Sequence, residues 1–349
     1  MTGDTAATAE EAFDIERLHD WLANEVDPSL GPLTVTKLGG GHSGGAWRVD
    51  STLADASVSF VLKAPPVTGG MVFQADPCRE ARIMDAARRL GAPVPRIIAV
   101  DHGARVIGRP CFILEHVAGR SVADTTPDGY HGTGWFRDHS SDTQRLIWES
   151  FVDALGTLHK VDPSEFAESE NLPRGCGAAI EYWRSSLLDA ADAETVARQL
   201  AVLDWLQANI PVDADAAPAI CMGDARLVNA LVNGDSVQAL VDFEVAYIGN
   251  PAADIGYGLF LDEMHRQNSD EPLPGVPSPE ETWQRWSQRT GRPVSDCNYW
   301  TAFGVMVLCI TATRAMVQWG LAGPSLEDTN PIVAEWELMT TRASRHIHA

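Results

Sequence analysis

The sequence has few cysteines, and their spacing matches no metal-binding motif. Its 349 residues include six cysteines, and none of them forms a C-x-x-C pair. A zinc site is therefore not expected, and a disulfide framework is unusual in a chain of this length. We interpret all six as reduced thiols that lie mostly in the core: Cys78, Cys111, Cys176, Cys221, Cys297 and Cys309.

Basic charge is also scarce. The chain carries 26 Lys and Arg against 48 Asp and Glu, which gives a formal net charge of −22. That charge repels nucleic acid and anionic membranes unless a local basic patch intervenes, and no long run of Lys and Arg is present. The composition therefore predicts neither a nucleic-acid partner nor a membrane partner.

No segment of the sequence predicts secretion or membrane insertion. Residues 1–20 lack the basic stretch and the apolar run of a secretory signal. The longest apolar run, at 303–310, is too short to span a bilayer. We therefore expect a cytoplasmic protein, and its 45% hydrophobic content and its length favour two lobes with a large core.

Residues 1–117 predict a small lobe that combines helix and sheet. An amphipathic helix opens it, and a second helix is capped by Asp76 and ended by Gly91. The order of elements, three strands before the second helix and two after it, predicts a compact small lobe. The predicted strands are residues 33–38, 46–50, 58–63, 96–100 and 111–117.

Residues 118–349 predict a larger, mainly helical lobe. Residues 118–141 lack periodicity and predict a long surface loop, after which apolar residues recur at helical spacing. Residues 221–242 differ, because two short apolar runs flank Asn233-Gly234, a pair typical of a hairpin turn. The two lobes together predict an α+β fold.

Three groups suited to phosphoryl transfer flank this hairpin. Asp224 and Asn229 precede it in Met-Gly-Asp-Ala-Arg-Leu-Val-Asn, and Asp242 follows it in Val-Asp-Phe-Glu. Phosphoryl transfer needs a carboxylate that orients the attacking hydroxyl and oxygen ligands that fix magnesium on the phosphates. Asp224 is thus the candidate base, and Asn229 and Asp242 are candidate ligands of one ion. Arg226 is a candidate for neutralising the transferred phosphate, although each residue alone is also ordinary turn chemistry.

A glycine-rich turn in the first lobe is a candidate phosphate site. The segment Leu-Gly-Gly-Gly-His-Ser-Gly-Gly lies between two predicted strands, where backbone N–H groups approach phosphates closely. Such a turn alone is a weak indication, since a flexible hairpin has the same composition. The candidate residues are Gly40, Gly41, Ser43 and Gly44.

An ion pair is predicted between Lys63 and Glu80. Lys63 ends an apolar strand, and Glu80 shares a helical stripe with Ile83, Met84 and Ala87, so its carboxylate should point inward. A buried carboxylate needs a cation, and Lys63 would then hold its ammonium over nucleotide phosphates. In the alternative arrangement Lys63 extends to solvent and Glu80 lies at the helix edge.

These motifs together resemble the aminoglycoside phosphotransferase and choline kinase family, small-molecule relatives of protein kinases. The resemblance covers roughly residues 33–260, and its most specific stretch is residues 222–256. The chain is most similar to a bacterial branch whose members are provisionally named aminoglycoside phosphotransferases and whose substrates are usually unassigned. The resemblance implies a protein-kinase-like two-lobed fold, with a five-stranded antiparallel sheet in the small lobe and a triphosphate between the lobes.

The resemblance also implies a role for each candidate residue. It implies that Asp224 is the base, that Asn229 and Asp242 bind Mg²⁺, and that Lys63 with Glu80 contacts the α- and β-phosphates. The glycine-rich turn would cover the nucleotide. The Glu115 carbonyl and the Val117 amide would pair with adenine at an interlobe hinge, and Asp254 would hold backbone near the catalytic loop.

The chain departs from the family pattern at Met222. The family loop usually begins His-Gly-Asp, and Met222 stands where that histidine would be. In related kinases the histidine supports the loop and does not react, so packing by Met222 is an adequate replacement. The segment after Phe243-Glu244 contains no long activation segment, which argues against a protein kinase.

The predicted reaction is transfer of the γ-phosphate of ATP or GTP, with Mg²⁺, to a hydroxyl of a small molecule. A nucleotide-binding regulator or scaffold without catalysis is the alternative function, motivated by Met222. A cluster of acids after Asp254 would suit a cationic acceptor, and a solvated acidic loop is the alternative interpretation. The acids are Asp262, Glu263, Asp270 and Glu271.

Overall fold

The structure is a computed structural model that describes residues 14–39, 45–66, 70–166, 172–321, 326 and 330–347. The chain divides into two compact units. The first comprises Met1–Gly70, Gln74–Arg82 and Arg96–His116, and the second comprises Met71–Phe73, Ile83–Pro95 and Val117–Ala349.

The first unit is built on a five-stranded antiparallel sheet, as the sequence predicts. Its strand order is β1-β2-β3-β5-β4, and each neighbouring pair is antiparallel. The long hairpin of β2 and β3 pairs from Gly45 with Ala64 to Leu53 with Ala56. The strands are β1 (Thr34–Lys37), β2 (Gly45–Leu53), β3 (Ala56–Ala64), β4 (Ile97–Asp101) and β5 (Cys111–Glu115).

Helix α1 (Ile15–Glu25) supplies one wall of the core of the first unit. The side chain of Asp14 accepts a hydrogen bond from the Arg17 amide and caps the helix. Leu18 and Leu22, one turn apart, are fully buried in a cluster with apolar residues of the sheet, including Trp47.

Helix α2 (Pro77–Arg89) has the two ends that the sequence predicts. The Asp76 carboxylate accepts hydrogen bonds from the amides of Cys78 and Arg79, and Pro77 occupies the first turn. Gly91, at φ +97°, follows the last turn in the left-handed region.

The second unit is mainly helical, and α9 lies at its centre. This helix packs against α5, α6, α7 and α10, while α4 packs against α8. The helices are α3 (Gly129–Gly132), α4 (Ser141–Leu158), α5 (Cys176–Ala190), α6 (Ala197–Ala208), α7 (Ala252–Gln267), α8 (Pro279–Thr290), α9 (Cys297–Gln318) and α10 (Pro331–Ile347).

Helix α9 is longer than the apolar run from which we judged that no segment could span a bilayer. Helical structure extends on both sides of the run at 303–310, and the 22-residue helix is long and apolar enough to cross a membrane, with a mean hydropathy of 1.5 over 18 residues. It is the single such helix in the described part of the chain. A core helix passes the same test, and 61% of that window is buried inside the protein.

The prediction of a surface loop at 118–141 is wrong for the middle of that segment. Residues 129–132 form α3, and Tyr130, His131 and Phe136 are buried. The segment lacks helical periodicity because its buried side chains are aromatic anchors on irregular backbone rather than one face of a helix.

Two small antiparallel pairs stand within the helical unit. The predicted hairpin is present as β7 (Ala230–Asn233) and β8 (Ser236–Leu240), with Gly234 at φ +64° in the turn. A second pair, β6 (Ala219–Cys221) with β9 (Tyr247–Gly249), encloses the hairpin in sequence. Three-residue strands are too short to show an alternating pattern, so the sequence did not predict them.

Two glycines bring α7 and α9 into close contact. A Cβ built on Gly256 of α7 would lie 2.6 Å from the Cα of Thr301. A Cβ on Gly304 of α9 would lie 2.5 Å from the Ala253 carbonyl oxygen and 2.9 Å from the Tyr257 Cβ. The backbones can approach this closely only because both positions lack a side chain.

We predict that Gly304→Ala lowers the free energy of unfolding by about 1–3 kcal/mol, because the added methyl overlaps the backbone of α7. Gly177→Ala in α5 is the matched control, since its Cβ would have no neighbour nearer than 3.5 Å. There the same change should raise stability by about 0.5–1 kcal/mol. Urea denaturation of both variants tests the contact, and equal effects would contradict it.

Candidate active site

The backbone of the loop after β6 is held by a buried carboxylate. Asp254, in the first turn of α7, is 1% exposed. One of its oxygens accepts the amide of Met222 at 2.7 Å, and the other accepts the amide of Gly223 at 3.0 Å. The helix therefore fixes the two residues that precede Asp224.

A histidine and a tryptophan support Asp254 from behind. His159 is fully buried, and its Nε2 lies 3.1 Å from the Asp254 carboxylate. Trp286 Nε1, which can only donate, lies 2.9 Å from His159 Nδ1. His159 therefore accepts at Nδ1 and donates its Nε2 proton to Asp254, which identifies it as a structural histidine.

The loop geometry requires glycine at 223. Its φ is +81°, and a Cβ there would lie 2.5 Å from the Val245 carbonyl oxygen. The pairing of Cys221 with Tyr247 brings the loop and the chain before β9 this close. Met222 beside it is fully buried, so its side chain contributes to packing.

The carboxylate of Asp224 is held at both oxygens. Oδ1 accepts a hydrogen bond from the Tyr257 hydroxyl. Oδ2 accepts from Asn229 Nδ2 at 2.8 Å and from Arg226 Nε at 3.3 Å. Burial and the neighbouring Asp224 raise the pKa of Tyr257 well above its usual value, so its hydroxyl stays protonated as the donor. With its side chain 22% exposed, Asp224 keeps contact with solvent.

Arg226 bridges Asp224 to a carboxylate from another part of the chain. Its Nη1 lies 2.9 Å from Asp124 Oδ1, and its Nε lies 3.2 Å from Asp224 Oδ1. Burial opposes the charged form of Arg226, but carboxylates outweigh it and raise the pKa of the guanidinium. Those carboxylates belong to Asp224, Asp124 and Asp242.

The predicted ligand pair lies at the open end of the hairpin. The amide of Val241, which precedes Asp242, donates to the carbonyl of Asn229 at 2.9 Å. Asn229 Nδ2 also donates to the carbonyl of Asp224 at 2.9 Å. Since Asp224 engages the nitrogen, the side-chain oxygen of Asn229 is its atom suited to a cation. Asp242 has a φ of +68°, an uncommon conformation found at functional sites.

Part of the predicted nucleotide site lies in the first unit. Lys63 Nζ is 2.7 Å from Glu80 Oε1, with side-chain exposures of 15% and 4%, so the predicted ion pair is present.

Glu115 is the last residue of β5, and its carboxylate accepts the Arg96 amide at 2.8 Å. Val117 is the first residue of the last segment of the second unit. Four candidates lie outside the described residues: Gly40, Gly41, Ser43 and Gly44.

Two of the four acids that would suit a cationic acceptor, Asp262 and Glu271, are engaged within the chain. Asp262 is buried and accepts hydrogen bonds from Tyr130 at 2.7 Å, His131 at 2.9 Å and Arg266 at 3.2 Å. Glu271 binds Arg137 at 2.8 Å. Asp262 therefore ties α3 to α7, and its carboxylate has a structural explanation.

Sequence reasoning missed two residues that contact the candidate machinery. Tyr257 lies three residues after Asp254, so one helical face carries both contacts to the loop, and this spacing was a usable signal. Asp124 lies in the irregular segment before α3 and carries no local signal.

The sequence of the chain matches an established family. The profile of the phosphotransferase enzyme family matches residues 34–287. The protein named acyl-CoA dehydrogenase family member 11 of Rattus norvegicus is 25% identical over 353 residues, which are 94% of this chain and 43% of that protein. The chain thus spans less than half the length of this relative.

Solved structures share the fold. A provisionally named aminoglycoside phosphotransferase of Ralstonia eutropha JMP134 has a TM-score of 0.71 at 24% identity, covering 96% of this chain and 99% of that one. Aminoglycoside phosphotransferase APH(4)-Ia, in complex with AMP-PNP and hygromycin B, has a TM-score of 0.55 at 12% identity, covering 93% and 98%. Choline kinase of Cryptosporidium parvum Iowa II has a TM-score of 0.55 at 14% identity, covering 96% of each chain.

The fold is therefore the protein-kinase-like α+β fold that the sequence predicts. The family profile covers most of the chain, including the segments before and after the β7–β8 hairpin that carry Asp224 and Asp242. The chain therefore belongs to the phosphotransferase enzyme family.

Proposed function

We propose that this protein transfers the γ-phosphate of ATP or GTP to a hydroxyl of a small molecule in the cytoplasm, with Asp224 as the general base. The observation that carries the proposal is the way in which neighbouring side chains hold the Asp224 carboxylate. Its carboxylate is fixed by Tyr257, Asn229 and Arg226 on a loop whose backbone is bound by Asp254. A general base has to be held in a fixed orientation, and these hydrogen bonds fix the Asp224 carboxylate.

A magnesium ion fits the residues at the end of the hairpin. The oxygen of Asn229 and the carboxylate of Asp242 are hard oxygen ligands, and the Val241–Asn229 hydrogen bond keeps them adjacent. Within the described residues no cluster of three or more acidic, His or Cys side chains forms a metal cage. Two protein ligands suffice, because Mg²⁺ is usually held by one or two side chains together with nucleotide phosphates and water. Bound there, Mg²⁺ would neutralise charge on the triphosphate.

Lys63 and Glu80 are proposed to hold the nucleotide. The ion pair fixes the ammonium group, and a lysine ammonium is a common ligand of phosphate oxygens. The resemblance also assigns nucleotide contacts to Gly40, Gly41, Ser43 and Gly44, to the Glu115 carbonyl and to the Val117 amide.

In the proposed reaction the protein forms no covalent bond to the substrate. The acceptor hydroxyl donates a hydrogen bond to Asp224 and attacks the γ-phosphorus in line as the bond to the β-phosphate oxygen breaks. The hydroxyl proton passes to the Asp224 carboxylate. Arg226, charged and next to Asp224, would stabilise the negative charge that develops on the transferred phosphate.

A nucleotide-binding protein without catalysis is the second candidate, motivated by Met222. The buried Met222 and its amide bond to Asp254 support the catalytic interpretation, because the loop is held although the family histidine is absent. The two functions differ in one observable, which is acceptor-dependent release of nucleoside diphosphate.

The names of similar proteins suggest which acceptors to test. One neighbour was solved with hygromycin B and another is named choline kinase. The longer relatives are named acyl-CoA dehydrogenases, so hydroxylated acyl thioesters join aminoglycosides, amino alcohols and sugars. If nucleotide binds and none of these acceptors is phosphorylated, the regulator interpretation is favoured.

We predict that Asp224→Asn lowers kcat by about 10²–10⁴-fold, because the amide cannot accept the hydroxyl proton. Nucleotide affinity, measured by calorimetry, should stay near that of the wild type. Asp235→Asn, at an exposed position of the hairpin, is the control and should leave kcat unchanged. Normal turnover of Asp224→Asn would show that the base is assigned to the wrong residue.

We predict that Tyr257→Phe lowers kcat about tenfold while the nucleotide KM stays constant, because Asp224 loses a charge-assisted hydrogen bond that orients it. Tyr299→Phe is a matched control. Both tyrosines are 2% exposed, and the Tyr299 hydroxyl donates to the Leu206 carbonyl, away from the loop. Equal loss of kcat in both variants would indicate a general effect of losing a buried hydroxyl.

We predict that Lys63→Met raises the nucleotide KM at least about tenfold, since a charge-assisted contact to phosphate is lost. Lys37→Met, at an exposed position of β1, should leave it unchanged. Steady-state kinetics with varied ATP and GTP measures both constants. An unchanged KM in Lys63→Met would remove Lys63 from the nucleotide site.

A further inference from the structure

A concavity of about 370 Å³ lies beside the β7–β8 hairpin in the second unit. It is formed by residues 119–120, by Trp135 and His139, and by residues 232–234. None of the described residues that form it is acidic, and its ionisable side chains are Arg120 and His139. In a chain with a net charge of −22, such a surface is unusual.

Arg120 is held in place at its backbone and at its side chain. Its amide and carbonyl exchange hydrogen bonds of 3.0 and 3.1 Å with Val232. Its guanidinium lies 4.2 Å from the ring centroid of Trp135, and Trp135 Nε1 donates to the Ser121 carbonyl at 2.7 Å. Stacking on an aromatic face leaves the N–H groups at the guanidinium edge available.

Arg120 differs from Arg226 in its surroundings. Among the residues that the structure describes, no carboxylate lies within ion-pair distance of the Arg120 guanidinium, whereas Arg226 is bound to two. A fixed guanidinium without a carboxylate is suited to bidentate binding of a phosphate or a carboxylate. His139, 5.6 Å from Trp135 between ring centroids, and the Asn233 amide add potential donors.

Two short chain segments connect the concavity to the catalytic loop. Asp124, four residues after Arg120, binds Arg226. Asn229, which binds Asp224, is four residues before Asn233. At about 3.3 Å per residue for extended chain, the four residues from Asn229 to Asn233 span at most about 13 Å. These short segments limit the distance between the concavity and the catalytic loop to roughly the length of one strand.

We propose that this concavity is an anion-binding subsite for the acceptor. The acceptor then carries a phosphate or carboxylate group about 13 Å or less from its reacting hydroxyl, with that anion bound by Arg120. The proposal rests on the proposed function, because it identifies the acceptor through the hydroxyl at Asp224. It assigns the acceptor to an anionic class rather than a cationic one.

The first test measures anion binding without catalysis. Wild-type protein with its nucleotide site saturated by ADP, in the absence of metal, is titrated calorimetrically with inorganic pyrophosphate. We expect saturable binding that Arg120→Gln weakens at least about tenfold. Arg342→Gln, an exposed arginine of α10, is the charge-matched control and should bind as the wild type does. Absence of binding to the wild type, or equal binding by both variants, overturns the proposal.

The second test measures preference in transfer. The probes are oligo(ethylene glycol) chains of increasing length with a hydroxyl at one end and a carboxylate, a phosphate or a methyl ester at the other. We expect kcat/KM to favour one anionic series over the ester at least about tenfold, with an optimum near the length that spans 13 Å. Arg120→Gln should remove that preference, whereas Arg342→Gln should retain it.

The outcomes separate this proposal from the proposed function. Transfer to neutral and anionic acceptors alike, insensitive to Arg120→Gln, overturns the subsite and retains the phosphotransferase. An increase in nucleotide KM in Arg120→Gln, with acceptor preference unchanged, would instead assign the concavity to the nucleotide. Anion binding without transfer to any acceptor supports the subsite and counts against the proposed reaction.

Discussion

The buried carboxylate of Asp254 is the interaction on which the candidate site depends. A charged group that is 1% exposed is stable only if hydrogen bonds replace its hydration, and here two backbone amides and His159 do so. The same bonds determine the course of the chain before Asp224. Loss of the carboxylate would leave two amides buried without acceptors, at about 1–3 kcal/mol each.

The position of Asp254 depends in turn on how closely helices α7 and α9 approach. Gly256 and Gly304 permit backbone contact at the turns of α7 that carry Asp254 and Tyr257. This explains why α9 is so apolar, since a helix covered by neighbours on several sides needs no polar face. The core of the second unit and the geometry at Asp224 are thus parts of one packing arrangement.

The sequence predicted the elements that have a repeating or capped pattern. The five strands of the first unit, the ends of α2 and the Lys63–Glu80 pair follow from alternation, turn residues and one helical stripe. It failed where contacts join distant residues without a local pattern. Asp124 is 102 residues from Arg226, and the aromatic anchors Tyr130 and Phe136 are on irregular backbone, so only the folded chain reveals them.

The charges around Arg226 and Arg120 explain why the two arginines are proposed to have different roles. Arg226 faces three carboxylates, so the surroundings of Asp224 remain negative and would repel a triphosphate that arrived without a divalent cation. This balance favours the proposed metal dependence. Arg226, already paired with Asp224 and Asp124 and assigned to the transferred phosphate, is not available to bind a further anionic group on the acceptor. An anionic group on the acceptor would need a cation outside this cluster. Arg120, stacked on Trp135 and connected to the loop through Val232 and Asp124, is placed to provide it.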